Sequence, residues 1–255
     1  VLLARGFTSY KSAIPLYVSY YADPWLAAID RAIFGVDPWR LSHAVIGPMA
    51  TMLIDRVYAL WFVIMMLYMG WFCFTRNAEL QLRGFLAYLL TWAVLGNLCA
   101  TAFSSVGPCF YTHFYHDRHF EPLLHALQAD NAHYPLMALG AMRFLISSIG
   151  KDRFGAGISA MPSLHVSIAF LCFLSTRRYA RHMLPKLLAF AFAMIILVGS
   201  VHLGWHYAAD GIVSLTGVSL IWWSTGRWRE PGRPTSPRDP AAAKMGPPPD
   251  HLGVA

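Results

Sequence analysis

Between Arg56 and Arg76 the chain runs from residue 57 to residue 74 without one charged side chain. A helix needs about 20 mostly apolar residues to cross the hydrocarbon of a bilayer, with a range of about 17–25. Four more segments meet that condition: 84–106, roughly 158–176, 184–201 and about 207–225. In lipid a spanning segment must satisfy its own backbone N–H and C=O groups, so runs of this length read as helices. The expected fold class is therefore all-α, a polytopic membrane helical bundle with five evident transmembrane helices. Composition agrees where it matters. Charged residues make up 13% of the 255, against about 25% in an average soluble domain, too few to cover a soluble surface. Aromatics at 15% exclude a disordered chain, and four scattered cysteines with no C-x2-C spacing exclude a disulfide scaffold.

The flanking regions differ from the spans. In residues 1–56, Asp23, Asp30, Arg31, Asp37, Arg40 and Asp55 recur every few positions, and Pro24, Pro38 and Pro48 break the segment into short pieces. It reads as amphipathic helices lying on the interface, with Trp25 and Trp39 at headgroup depth. Residues 226–255 are rich in Pro and Arg and read as a disordered tail. The chain thus divides into an interfacial segment 1–56, a transmembrane bundle 57–225 with an outer loop 107–157, and the tail.

Basic residues set the expected orientation. Arg76 and Arg83 follow the first span, Arg177, Arg178, Arg181 and Lys186 the third, and Arg227, Arg229, Arg233, Arg238 and Lys244 the fifth. With five spans these three segments share one side, which the positive-inside rule makes cytoplasmic. The interfacial segment and the outer loop then lie on the extracytoplasmic face. A chain starting in the cytoplasm needs at least one more apolar run upstream of Val1, giving six or more spans in the full chain. Only 4 of the 20 basic residues are lysines, which fits a GC-rich bacterial genome and a bacterial plasma membrane. The basic tail lacks a folded nucleic-acid module, so its partner is anionic lipid and not nucleic acid. Oligomeric state is left open.

Ionisable residues at membrane depth are costly and mark function. Two clusters stand out: Gly155 to His165, leading into the third span, and Ser200 to Asp210, joining the fourth and fifth. Both fall at the outer ends of their helices. His206 and Asp210 are four apart and share a helical face. A carboxylate that holds one imidazole nitrogen raises the basicity of the other, as in activated nucleophiles. His165 supplies a second imidazole from another helix. One histidine can attack phosphorus while the other protonates the leaving oxygen. Gly155 and Gly157 permit close backbone approach, and the start of the third span points N–H groups outward. His202, four before His206, either lines the same face or caps a helix. His113, His116 and His119 recur every three residues in the outer loop, a spacing that suits a metal less well than a polar, aromatic loop.

Pro162-Ser163-Leu164-His165 and His206-x3-Asp210 resemble the second and third signatures of the type 2 phosphatidic acid phosphatase superfamily, with Leu164 in place of Gly. The resemblance implies a helical bundle with its site at the outer membrane face, His206 as nucleophile, Asp210 as its partner and His165 as proton donor, with no metal and no cofactor. Ser200 stands where the family has an arginine, and K-x6-R-P occurs nowhere. In these respects the chain is similar to the branch containing inositol phosphorylceramide synthases, which move a phosphorylated headgroup between lipids. Positive charge must then come from elsewhere; Lys151 and Arg153 are the candidates, Arg143 a weaker one, with Ser163, Gly157 and His202 as further substrate contacts. The expected function is lipid phosphotransfer through a phosphohistidine. The alternative is a lipid phosphate or polyprenyl phosphate phosphatase with water as acceptor. A non-catalytic lipid-binding protein leaves the His/Asp pair unexplained.

Overall fold

The computed structural model describes residues 2–151, 155 and 157–227. Arg153 and all of the expected tail beyond Arg227 lie outside the described residues. Every regular element described is a helix: α1 (Leu2–Tyr17), α2 (Asp23–Phe34), α3 (Pro38–Val45), α4 (Pro48–Phe74), α5 (Ala78–Ala102), α6 (Tyr111–Tyr115), α7 (Glu121–His133), α8 (Met137–Ser147), α9 (Leu164–Tyr179), α10 (Met183–His202) and α11 (Ala208–Arg227). A short 3-10 turn, Pro108–Phe110, precedes α6.

Three of these, α4, α5 and α10, are long and apolar enough to cross a membrane. The two other expected spans differ for identifiable reasons. Helix α9 has 16 residues, because Pro162 and the glycines before it keep 157–163 out of the helix. Helix α11 has 20 residues but carries hydroxyls along its length. Each is satisfied locally: Ser214 donates to the Asp210 carbonyl, Thr216 to Ile212, Ser219 to Leu215, and Ser224 and Thr225 to Ile221. Such back-bonding hides the polar group from an apolar surrounding.

Helix α9 is the centre of the bundle, packed by α4, α5, α10 and α11. Val166, Ile168, Ala169, Leu171 and Cys172 are all buried along it. Its first turn is fixed by Ser163, whose Oγ accepts from the Val166 N–H at 3.3 Å, a side-chain N-cap.

In the N-terminal region the helix bounds and the burial of the polar residues differ from those expected. The boundary placed at residue 56 falls inside α4, which begins at Pro48. Pro24, Pro38 and Pro48 do not interrupt helices; each lies in the first turn of one, where a missing N–H costs nothing and the fixed φ suits the helix. Trp39 is buried in the core while Trp25 is partly exposed, so only Trp25 has an outward position. Asp23, Asp30, Asp37 and Asp55 are buried as well. A buried carboxylate needs donors, and these have them. Asp55 accepts from the Met137 and Ala138 amides at 2.6 and 3.0 Å, capping α8 from α4. Asp30 accepts from the Ala208 and Ala209 amides at 2.7 and 2.8 Å, capping α11 from α2. Two of the four orphan N–H groups at each of these helix starts are thus served across the fold.

Candidate active site

The two polar clusters meet at one end of the bundle. A short non-helical link between α10 and α11 carries His206, and the N-cap supplied by Asp30 fixes where α11 starts. His206 Nδ1 lies 3.3 Å from Asp210 Oδ2, and the same oxygen accepts from the Tyr207 amide at 3.1 Å. Asp210 is fully buried and His206 nearly so. Across from them stands His165, in the first turn of α9, with 6.2 Å between the two ring centroids and 56° between their planes. The His165 ring is held by α4: Tyr58 stacks on it at 4.7 Å and Trp61 lies against it at 4.3 Å. Trp61 also donates its indole N–H to the His165 carbonyl at 2.9 Å. Phe62 meets the ring edge-on, and Phe62 is itself 60% exposed. The site therefore reaches the apolar flank of α4.

Below the histidines, the turn 104–107 gathers the segments that carry them. The Ser105 carbonyl accepts from the Ala160 N–H at 2.9 Å, and Ser105 Oγ accepts from the Met161 N–H at 2.9 Å. The Gly204 carbonyl accepts from the Cys109 N–H at 2.8 Å. Gly107 has φ +89°, and a Cβ there would sit 2.5 Å from the Trp205 carbonyl oxygen. Only glycine serves both demands.

Asp23 closes this junction. It accepts from the Val106 and Gly107 amides and from the Tyr115 and Tyr207 hydroxyls, at 2.8 to 3.1 Å. Burial raises its carboxyl above the ordinary value, and the four donors pull it back down. Asp30 behaves alike: burial pushes it up to about 6, against the Ala208 and Ala209 amides. Burial and the Asp23 charge raise the Tyr20 and Tyr115 hydroxyls. Neither acid was legible as part of a site. Each is separated from its partners by more than 80 positions, and nothing local distinguishes it from an interfacial carboxylate.

The remaining candidates have other partners. Lys151 is exposed and donates to the Ser147 carbonyl at 2.8 Å, at the end of α8; Arg143 is exposed too. Ser163 is committed to capping α9, while Gly157 faces α1. His202 is fully buried, but its ring turns into a second network. Ser42 Oγ meets its Nδ1 at 2.9 Å and Thr51 Oγ1 its Nε2 at 3.0 Å, while Thr51 also donates to Asp130 at 2.9 Å. His43 stacks on it at 3.9 Å. His43, Asp130 and His202 place one ligand atom each within 4.8 Å of one another, a spacing a metal could use. However, the two rings lie only 21° from parallel. One ion cannot lie in both ring planes, where the nitrogen lone pairs point, unless a ring turns and breaks its hydroxyl contacts. His119 turns to Asp37 and Arg31, so His113, His116 and His119 form no such group among the described residues.

The described residues thus set two histidines from different parts of the chain near one another, one of them held by an aspartate, in a bundle that includes helices long and apolar enough to cross a membrane. The sequence profile of the PAP2 superfamily matches residues 24–224, and the chain belongs to that superfamily. Its function is accordingly of the phosphatase or phosphotransferase type. No curated protein and no solved structure matches the chain.

Proposed function

We propose that this protein is a membrane lipid phosphotransferase that works through a phosphohistidine on His206. The observation that carries the reading is the His206–Asp210 pair, with His165 facing it from a different helix. Asp210 holds Nδ1, so the Nε2 lone pair is the nucleophile. It attacks the phosphorus of a lipid phosphodiester; the P–O bond to the departing lipid alcohol breaks, and His165 gives that oxygen its proton. An acceptor hydroxyl then attacks the phosphorus, the P–N bond breaks to free His206, and the hydroxyl proton returns to His165. Proton donation of this kind contributes about 10²–10⁴-fold.

The near-complete burial of His206 and the aromatic wall of Tyr58, Trp61 and Phe62 favour an acceptor hydroxyl over bulk water. The exposed Phe62 edge supports lateral entry of a lipid. Ser163 acts by capping α9 and so positioning His165. In this reading α9 and α11 cross the membrane together with α4, α5 and α10, the site faces the extracytoplasmic side of a bacterial plasma membrane, and the tail is cytoplasmic. The test uses the purified full chain with labelled phosphatidylinositol, with and without a hydroxyl acceptor. Acceptor-dependent labelled product is expected. Transfer to water alone makes the protein a phosphatase, and full turnover by His206→Ala rejects the whole assignment.

A further inference from the structure

We propose that Lys11 supplies the positive charge that binds the phosphoryl oxygens at the His165–His206 site. The inference rests on the reading of that site given above and names the group it otherwise lacks. A phosphoryl group in transfer carries negative charge on its non-bridging oxygens, and an active site normally meets it with fixed cations or donors. Here Ser200 is fully buried and donates its hydroxyl to the Leu197 carbonyl, and Lys151, beyond the end of α8, donates to that helix's Ser147 carbonyl.

The geometry brings α1 to the vacant role. The helix lies over the loop that leads into α9. A Cβ added at Gly157 would sit 2.7 Å from the Lys11 Cβ and 3.0 Å from the Ser12 backbone nitrogen. The glycine thus admits α1 at a distance no other residue allows. The same end of the chain is tied to the junction that carries both histidines. Ile14 is buried, the Tyr20 hydroxyl donates to the Ile158 carbonyl at 3.1 Å, and the Tyr21 and Ala22 amides donate to the Ser104 carbonyl at 3.1 Å. From this position the Lys11 charge acts on the rings of both His165 and His206. Burial lowers its ammonium to about 8, the direction expected of a cation taken out of water. Lys11 lies upstream of residues 24–224, the part that the superfamily profile matches, so the charge is a contribution of this chain's own first helix.

The ligand is a phosphoryl group, whether on a lipid headgroup or free in solution, and the test separates the two. The full chain in detergent micelles is titrated with inorganic phosphate in one arm and with short-chain fluorescent phosphatidylinositol in the other. Lys11→Ala is expected to weaken binding at least tenfold, and Lys11→Arg to recover most of it. Thermal unfolding of each variant checks that the bundle is intact. Weakening in the lipid arm alone assigns the lysine to the lipid-borne group; weakening in the phosphate arm alone assigns it to the free anion. Unchanged affinity in Lys11→Ala, or binding of neither probe by the wild-type chain, overturns the proposal. A Lys11-dependent affinity alongside full turnover in His206→Ala would keep the lysine site and reject the phosphohistidine.

Discussion

His202 and His206 are one helical turn apart in sequence and both are buried beside an aspartate, yet they are held in different ways. Both His202 nitrogens meet hydroxyls, from Ser42 and Thr51, and the ring is stacked on His43. Such a ring has both nitrogens occupied, and removing it takes one partner from each of two hydroxyls that otherwise bond Trp39 and Asp130. His206 has Asp210 on Nδ1 and turns toward a second imidazole. The comparison teaches that burial beside a carboxylate does not define a catalytic histidine. The difference lies in the partners: hydroxyls meet both His202 nitrogens, whereas His206 has Asp210 on Nδ1 and the His165 ring 6.2 Å away.

The sharpest way to break this contrast is to remove each ring in turn. His206→Ala should lower transfer about 10³-fold or more, as removal of a nucleophile does, with little change in melting temperature. Turnover within tenfold of wild type would erase the distinction. His165→Gln should cost about 10²–10⁴ in turnover, the range for a lost general acid, measured under the same conditions. His202→Ala should act on the other axis. Each lost hydrogen bond costs about 0.5–1.5 kcal/mol and two go with the ring, so denaturant unfolding should show a loss of about 1–3 kcal/mol, while turnover per folded molecule falls less than tenfold.

The smallest effect concerns Asp30, which caps the helix that follows His206. Its folded value of about 6 lies above the ordinary carboxylate value of 3.8. The folded chain therefore holds this proton where the unfolded chain has lost it, and stability falls as pH rises through the window from about 4 to 6. Asp30→Asn keeps a carbonyl acceptor but cannot titrate. Its melting temperature should vary less across that window than that of the wild type; an identical slope would show that Asp30 does not titrate with folding.

Much of the site was readable because its pieces are local. His206-x3-Asp210 is an i,i+4 pair that any helix start brings together, and Pro162 with Ser163 marks a helix beginning that leaves His165 in the first turn. The supporting acids were not readable. Asp23, Asp30 and Asp55 look like the polar face of surface helices, since charge spacing carries no record of which distant amide a carboxylate will meet. Lys11 was hidden for the same reason: a lone lysine in the first helix has no local pattern, and its position follows only from Gly157 admitting α1.

The sequence by itself determined the helical class, since long uncharged runs leave the backbone no other way to satisfy its hydrogen bonds in lipid. It also marked His206 and Asp210 as a pair by their spacing, although the structure sets His206 in the link just before α11 and only Asp210 on the helix. The tertiary structure alone decided that His165 faces them, that Tyr58 and Trp61 hold its ring, that Asp23 and Asp30 serve the junction beneath, and that His202 belongs to a different network. These are contacts between elements far apart in the chain, and they follow from how whole helices pack, which no short stretch of residues encodes.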